Sequence, residues 1–162
     1  MEIDNWEIKL KEIWNMLGEI PNKEFNELIK IHTEKIRGSG LLAIADFERA
    51  CAFDSTGYEK EAEPLYRSAI SIGLEGIRRR RANIQLASTL RNNGKINESI
   101  DILQKEKQNY SDELDDAVNA FLALSLSSNN EDKKALSLAL ESLSKHLPRY
   151  NKSLLNYSRN LK

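Results

Sequence analysis

The feature that most limits how this chain can fold is an internal repeat. Read from Ala50, the chain places Ala50, Phe53, Gly57, Ala62, Tyr66 and Ala69 at fixed offsets. Thirty-seven residues later the same offsets hold Ala87, Leu90, Gly94, Ser99, Leu103 and Glu106. After another 36 they hold Ala123, Leu126, Asn130, Ala135, Ala139 and Ser142. Each unit reads as a helix, a tight turn at Gly57, Gly94 or Asn130, and a second helix. Small residues fall where two helices must approach, and glycine or asparagine suits a turn that needs positive φ. A unit this short cannot bury its apolar faces alone, so stacked copies must share a core.

The rest of the chain agrees with a helical reading. Ile3, Trp6, Leu10, Ile13 and Leu17 recur at intervals of three and four, and Phe25, Leu28, Ile29, His32 and Ile36 form a second stripe. Pro21 separates the two, and Gly38-Ser39-Gly40 closes the second. Seven glycines, three prolines and 30% charged residues suit helices joined by short loops, and period-two alternation is nowhere sustained. The expected fold is all-α, an α-solenoid of antiparallel helix pairs.

These residues resemble the tetratricopeptide repeat (TPR), most closely over 57–70, where Gly57, Ala62, Tyr66 and Ala69 occupy the turn and second helix. The second unit matches at Ala87, Gly94 and Ile100; the third is weaker, with Asn130 at the turn and Ala139 in a large-residue slot. Trp14, Leu17 and Gly18 are similar to the repeat's Trp-x-x-Leu-Gly opening, but Pro21 then falls where an aromatic is expected. The expected organisation is a degenerate N-terminal helix pair over 1–40, three TPR-like pairs over 41–147, and a capping helix over 148–162. In that cap, Tyr150, Leu154, Tyr157 and Leu161 are expected to face the last repeat. The family repeat is 34 residues, so spacings of 37 and 36 imply longer helices. Pro64 inside a second helix should cost one backbone bond or bend it.

The resemblance implies a protein–protein interaction module, an adaptor or regulator that binds a partner's peptide or amphipathic helix in a concave groove lined by first helices. The corresponding positions are Ile44, Phe47, Cys51 and Asp54, then Arg81, Ile84, Ser88 and Arg91, then Ala117, Ala120, Leu124 and Ser127. The carboxylate clamp of chaperone-binding relatives is missing, because Phe47, Cys51, Ile84 and Ala120 occupy its slots. A groove so apolar calls for a cover: a partner, the chain's own N-terminal helices, or a second copy. A homodimer is expected, since Trp6, Trp14, Phe25, Leu41 and Leu42 give the N-terminal region more apolar surface than a simple cap needs.

Other chemistry is poorly supported. Two histidines far apart and one cysteine do not make a metal site, and no cofactor is expected. Gly38, Gly40 and Ala43 fit a dinucleotide pattern formally, but a charged helical stretch precedes them instead of a buried strand. No Gly-x-Ser-x-Gly elbow occurs, so the protein is expected not to be an enzyme; a small-ligand binder or enzyme on a helical scaffold is the alternative. With 24 basic and 25 acidic residues the net charge is −1, which disfavours nucleic acid as a partner. The exception would be the run Arg78, Arg79, Arg80 and Arg81. Four consecutive helical residues point about 100° apart, so some must meet neighbours such as Glu48, Glu59 or Glu75, and the others could hold a carboxylate or phosphate. Cys51 reads as a small packed residue, with a redox thiol as the alternative. The lone cysteine, the opening without a signal-like segment, and the lack of a spanning apolar run give the expectation of a cytoplasmic protein without membrane partners.

Overall fold

A computed structural model describes residues 3–39 and 41–161; Gly40, in the expected linker, lies outside the described residues. The chain divides into two compact units, Met1–Ala82 and Asn83–Lys162. The first contains α1 (Ile3–Trp14), α2 (Asn22–Glu34), a short 3-10 turn (Arg37–Ser39), α3 (Leu42–Ser55), α4 (Glu59–Ile72) and the start of α5 (Gly76–Asn92). The second contains the rest of α5, then α6 (Ile96–Asn109), α7 (Asp115–Ser128), α8 (Asp132–Ser144) and α9 (Asn151–Arg159). The described residues are all-α, with one isolated bridge between Leu17 and Ile20.

The three repeat turns share one backbone solution. Gly57, Gly94 and Asn130 have φ of +83°, +80° and +62°. The amide that follows each donates back to the carbonyl five residues earlier: Tyr58 to Phe53 at 2.9 Å, Lys95 to Leu90 at 2.8 Å, Glu131 to Leu126 at 2.9 Å. These are Schellman closures, which need a left-handed residue in the turn. The offsets that define the repeat therefore encode a hydrogen-bonded helix stop. Of the slot residues, Ala50, Ala62, Tyr66, Ala69, Ala87, Leu90, Ser99 and Leu103 are completely buried. Ala139 is exposed and Leu138, one position earlier, is buried in its place, a slip of one residue in the weakest copy.

The surplus over 34 residues arises in two ways. α5 has 17 residues where α3 has 14, which accounts for the first long spacing as expected. In the second, the extra residues lie in the connection 110–114 instead of a helix; it is longer than the connection 73–75. Pro64 is accommodated inside α4.

In the first unit Trp6, Leu10 and Ile13 of α1 pack with Phe25, Ile29 and Ile36 and with Ala45 and Ala52 of α3. Full burial of such a side chain is worth about 1.5–3 kcal/mol. A reciprocal pair fixes the register of α1 against α2. Trp6 Nε1 donates to the His32 carbonyl at 3.1 Å, His32 Nε2 lies 2.9 Å from the Trp6 carbonyl, and the rings stack at 4.9 Å. A carbonyl only accepts, so His32 Nε2 carries the proton. Trp6 and Phe25 are thus core, and Trp14 is half-buried with its ring edge on Phe25. This corrects the expectation that they form surplus apolar surface.

In the second unit Ile84, Ala87, Ile100, Leu103, Val118, Leu122, Ala123, Leu126, Ala135 and Leu138 form one core. α9 corrects a second expectation. Ser158 is its fully buried residue, Leu154 is half-buried, and Tyr150 and Tyr157 are 76% and 70% exposed. Both tyrosines face solvent, and the small serine is the residue packed inside.

Candidate interaction surfaces

In the first unit, the expected groove positions divide into a packed layer and an accessible one. Phe47 and Cys51 are buried. The Phe47 ring lies 6.3 Å from that of Tyr66, and the Arg81 guanidinium sits 5.2 Å above it on the opposite helix. Arg81 is exposed and Ile44 half-buried. Ile44 lines a recess of about 440 Å³ with Leu41, Leu74, Ile77 and Arg78. Ile77 is 45% exposed and one helical turn before Arg81 on α5, just as Ile44 is one turn before Phe47 on α3. The two first helices thus offer an apolar notch, Ile44 with Ile77, and a cation one turn further along.

The arginine run is distributed around α5. Arg78 Nη2 lies 2.8 Å from both carboxylate oxygens of Glu7, and its Nε donates to Glu48 at 3.3 Å. Glu48 also accepts from Trp14 Nε1 at 3.0 Å. Burial pushes the Glu48 carboxyl above its ordinary range, while Arg78 and the indole hydrogen bond pull it back. Arg78 therefore ties α1 and α3 to α5. Arg80 is buried, Arg79 half-buried, and Arg81 exposed.

Cys51 lies in the layer of Tyr66 and Asp54. Burial first, then Cys51 and Asp54, drive the Tyr66 phenol far above its ordinary value, and its hydroxyl donates to Asp54 at 3.3 Å. A thiol 1% exposed is a packing group in this state.

In the second unit, Ile84 is 5% exposed and belongs to the core. Ser88 and Arg91 are half-buried on later turns of the same α5 face, and Arg91 donates to Asn92 at 3.1 Å. A separate groove lies between α6 and α8 over α7. Its wider end, about 470 Å³, is lined by Gln104, Lys107 and Gln108 of α6, Leu122 and Leu126 of α7, and Lys134 and Leu138 of α8. A narrower continuation of about 210 Å³ runs past Val118, Asn119, Glu141 and Lys145. Sequence reasoning did not single out this groove.

No group of three metal-ligating side chains occurs among the described residues, and none of their helices is long and apolar enough to cross a membrane. The paired helices and the recurring turns define an α-helical-repeat protein. The chain belongs to the tetratricopeptide repeat family, whose tetratrico peptide repeat model matches residues 43–161. No curated protein and no solved structure matches it. Family membership makes a protein–protein interaction module the general functional class.

Proposed function

We propose that this chain is a non-catalytic adaptor or regulator that binds a peptide or helix of a partner protein on the first helices of its repeats. The observation that carries the reading is the notch formed by Ile44 and Ile77 beside Arg81. An apolar side chain seated in the notch supplies desolvation energy, and a carboxylate one helical turn away meets Arg81. Stacking on Phe47 holds the Arg81 guanidinium in position, so little of its rotamer entropy is lost on binding. Phe47, under the Arg81 guanidinium, is buried, as is Cys51. Further along α5, Ser88 and Arg91 keep accessible surface, whereas Ile84 belongs to the packed interior. A reduced, buried Cys51 fits a cytoplasmic setting, which cell fractionation would check.

The test is co-purification from native lysate with wild-type protein and the variants Arg81→Glu and Ile44→Asp, each verified as folded by circular dichroism. Loss of a stoichiometric partner in both variants supports the reading. Undiminished binding in both refutes it.

Self-association is a second reading, and it rests on Ile8 and Ile31, which are 60% and 53% exposed on α1 and α2. A symmetric dimer would cover them. A monomer mass in light scattering at tens of micromolar counts against it.

A further inference from the structure

The second unit repeats the first with different side chains on its middle helix, and a groove opens where they differ. The turns Gly57 and Asn130 define an offset of 73 residues. It relates Asp46, Arg49 and Phe53 to Asn119, Leu122 and Leu126. In the first unit Asp46 and Arg49 are held by polar side chains. Arg49 donates to Glu34 at 3.2 Å, and Asp46 accepts from Arg37 at 3.3 Å and from Ser68 at 2.7 Å. In the first unit α3 is thus tied to α2 and to the 3-10 turn by ion pairs and to α4 by a hydrogen bond. In the second unit Leu122 replaces Arg49, and a leucine floor is left under open space.

The charged groups of the two units differ as well. Arg37 in the first unit is matched by a carboxylate, Asp46. In the second, Lys107 of α6, which the offset sets against Glu34, donates at 2.6 Å to the amide of Asn119, an uncharged group where the first unit has Asp46. Lys134, 64% exposed and ion-paired with Glu131 at 2.5 Å, stands on the opposite wall; no carboxylate lines the wide end, whereas Asp115 and Glu141 line the narrow one. The floor follows one face of α7 from Asp115 to Leu126, about 16 Å at 1.5 Å per residue. That is three helical turns, a length suited to a peptide more than to a compact small molecule.

We propose that the groove between α6 and α8 is a second docking surface, which takes an acidic amphipathic helix of a partner protein. Its apolar anchors sit on Leu122, Leu126 and Leu138, and its carboxylates face Lys107 and Lys134. The proposal rests on the reading of the chain as a protein-binding module, but it uses a different face from the Ile44 notch.

The experiment pans a random peptide library of about four helical turns (~15 residues) against the full chain and maps the selected peptides by methyl NMR. The expected peptides carry leucine or phenylalanine at i, i+3 or i+4, and i+7, with aspartate or glutamate beside them. They shift the methyls of Leu122, Leu126 and Leu138, and the exposed-site pair Lys107→Glu with Lys134→Glu weakens them at least tenfold. Leu122→Arg, which restores the first unit's residue, abolishes binding. Should that core variant fail to fold, the lysine pair decides alone. Selected peptides without acidic residues, or affinities unchanged in the lysine variant, overturn the proposal. So does failure to select any peptide for the groove. Shifts at Ile44 and Ile77 with none at the leucines overturn it too, while leaving the reading as an interaction module intact.

Discussion

Ile84→Asp separates an open groove from a packed interior at one position. Ile84 occupies a first-helix slot that the family resemblance turns toward a ligand, yet it is 5% exposed and packed in the core with Ala87, Ile100 and Val118. Removing its buried aliphatic surface forfeits about 1.5–3 kcal/mol. Aspartate then brings a polar group with no partner into that core, which costs about 1–3 kcal/mol even when it stays protonated. The expected loss is therefore about 2.5–6 kcal/mol, a large share of a domain's total stability. Urea unfolding followed by far-ultraviolet circular dichroism measures it, with Ile84→Val as a conservative reference expected to cost about 0.5–1.5 kcal/mol. A midpoint for Ile84→Asp within about 0.5 kcal/mol of wild type, the range of an innocuous surface change, would refute the placement of Ile84 in the core and return it to the ligand surface.

Other outcomes follow from the same geometry. Ala62→Leu overpacks a completely buried slot and should cost about 1–3 kcal/mol in thermal or urea melts. Burial depresses the His32 pKa below the ordinary histidine value, so the fold favours the neutral ring. The stability this contributes is complete above the unfolded-state pKa and is lost as pH falls through the lower folded-state value. Urea midpoints should therefore drop on acidification below pH 6.5, and the His32→Gln variant should lose that slope. Arg78→Leu strands the nearly buried Glu48 carboxylate and should cost about 3–5 kcal/mol near neutrality. The penalty should shrink as pH falls and Glu48 takes up a proton, and Glu48→Gln in the same background should remove that pH dependence.

Much of the architecture was legible because the repeat offsets carry backbone chemistry. Gly57, Gly94 and Asn130 could be read as turns because few residues accept positive φ, and all three do so. The burial of Ala50, Ala62 and Ala87 was legible for a steric reason, since close helix approach admits only small side chains. α9 was misread because apolar periodicity alone favours Tyr150 and Tyr157 for the interior, whereas Ser158 permits the closer approach. Tryptophans at 6 and 14 were legible as a helical stripe, but spacing does not say whether a stripe meets a neighbour or solvent. The α6–α8 groove was in principle readable, because the 73-residue offset sets Arg49 against Leu122 and Asp46 against Asn119. Its signal is a difference between copies, which a search for similarity passes over.

The most direct test of the interaction surface is hydrogen–deuterium exchange on the full chain, alone and with the protein that co-purifies with it stoichiometrically. The expected result is slower exchange on binding across the start of α3 and the start of α5, around Ile44, Ile77 and Arg81. Exchange unchanged in both segments while the partner remains bound would contradict the assignment of that surface.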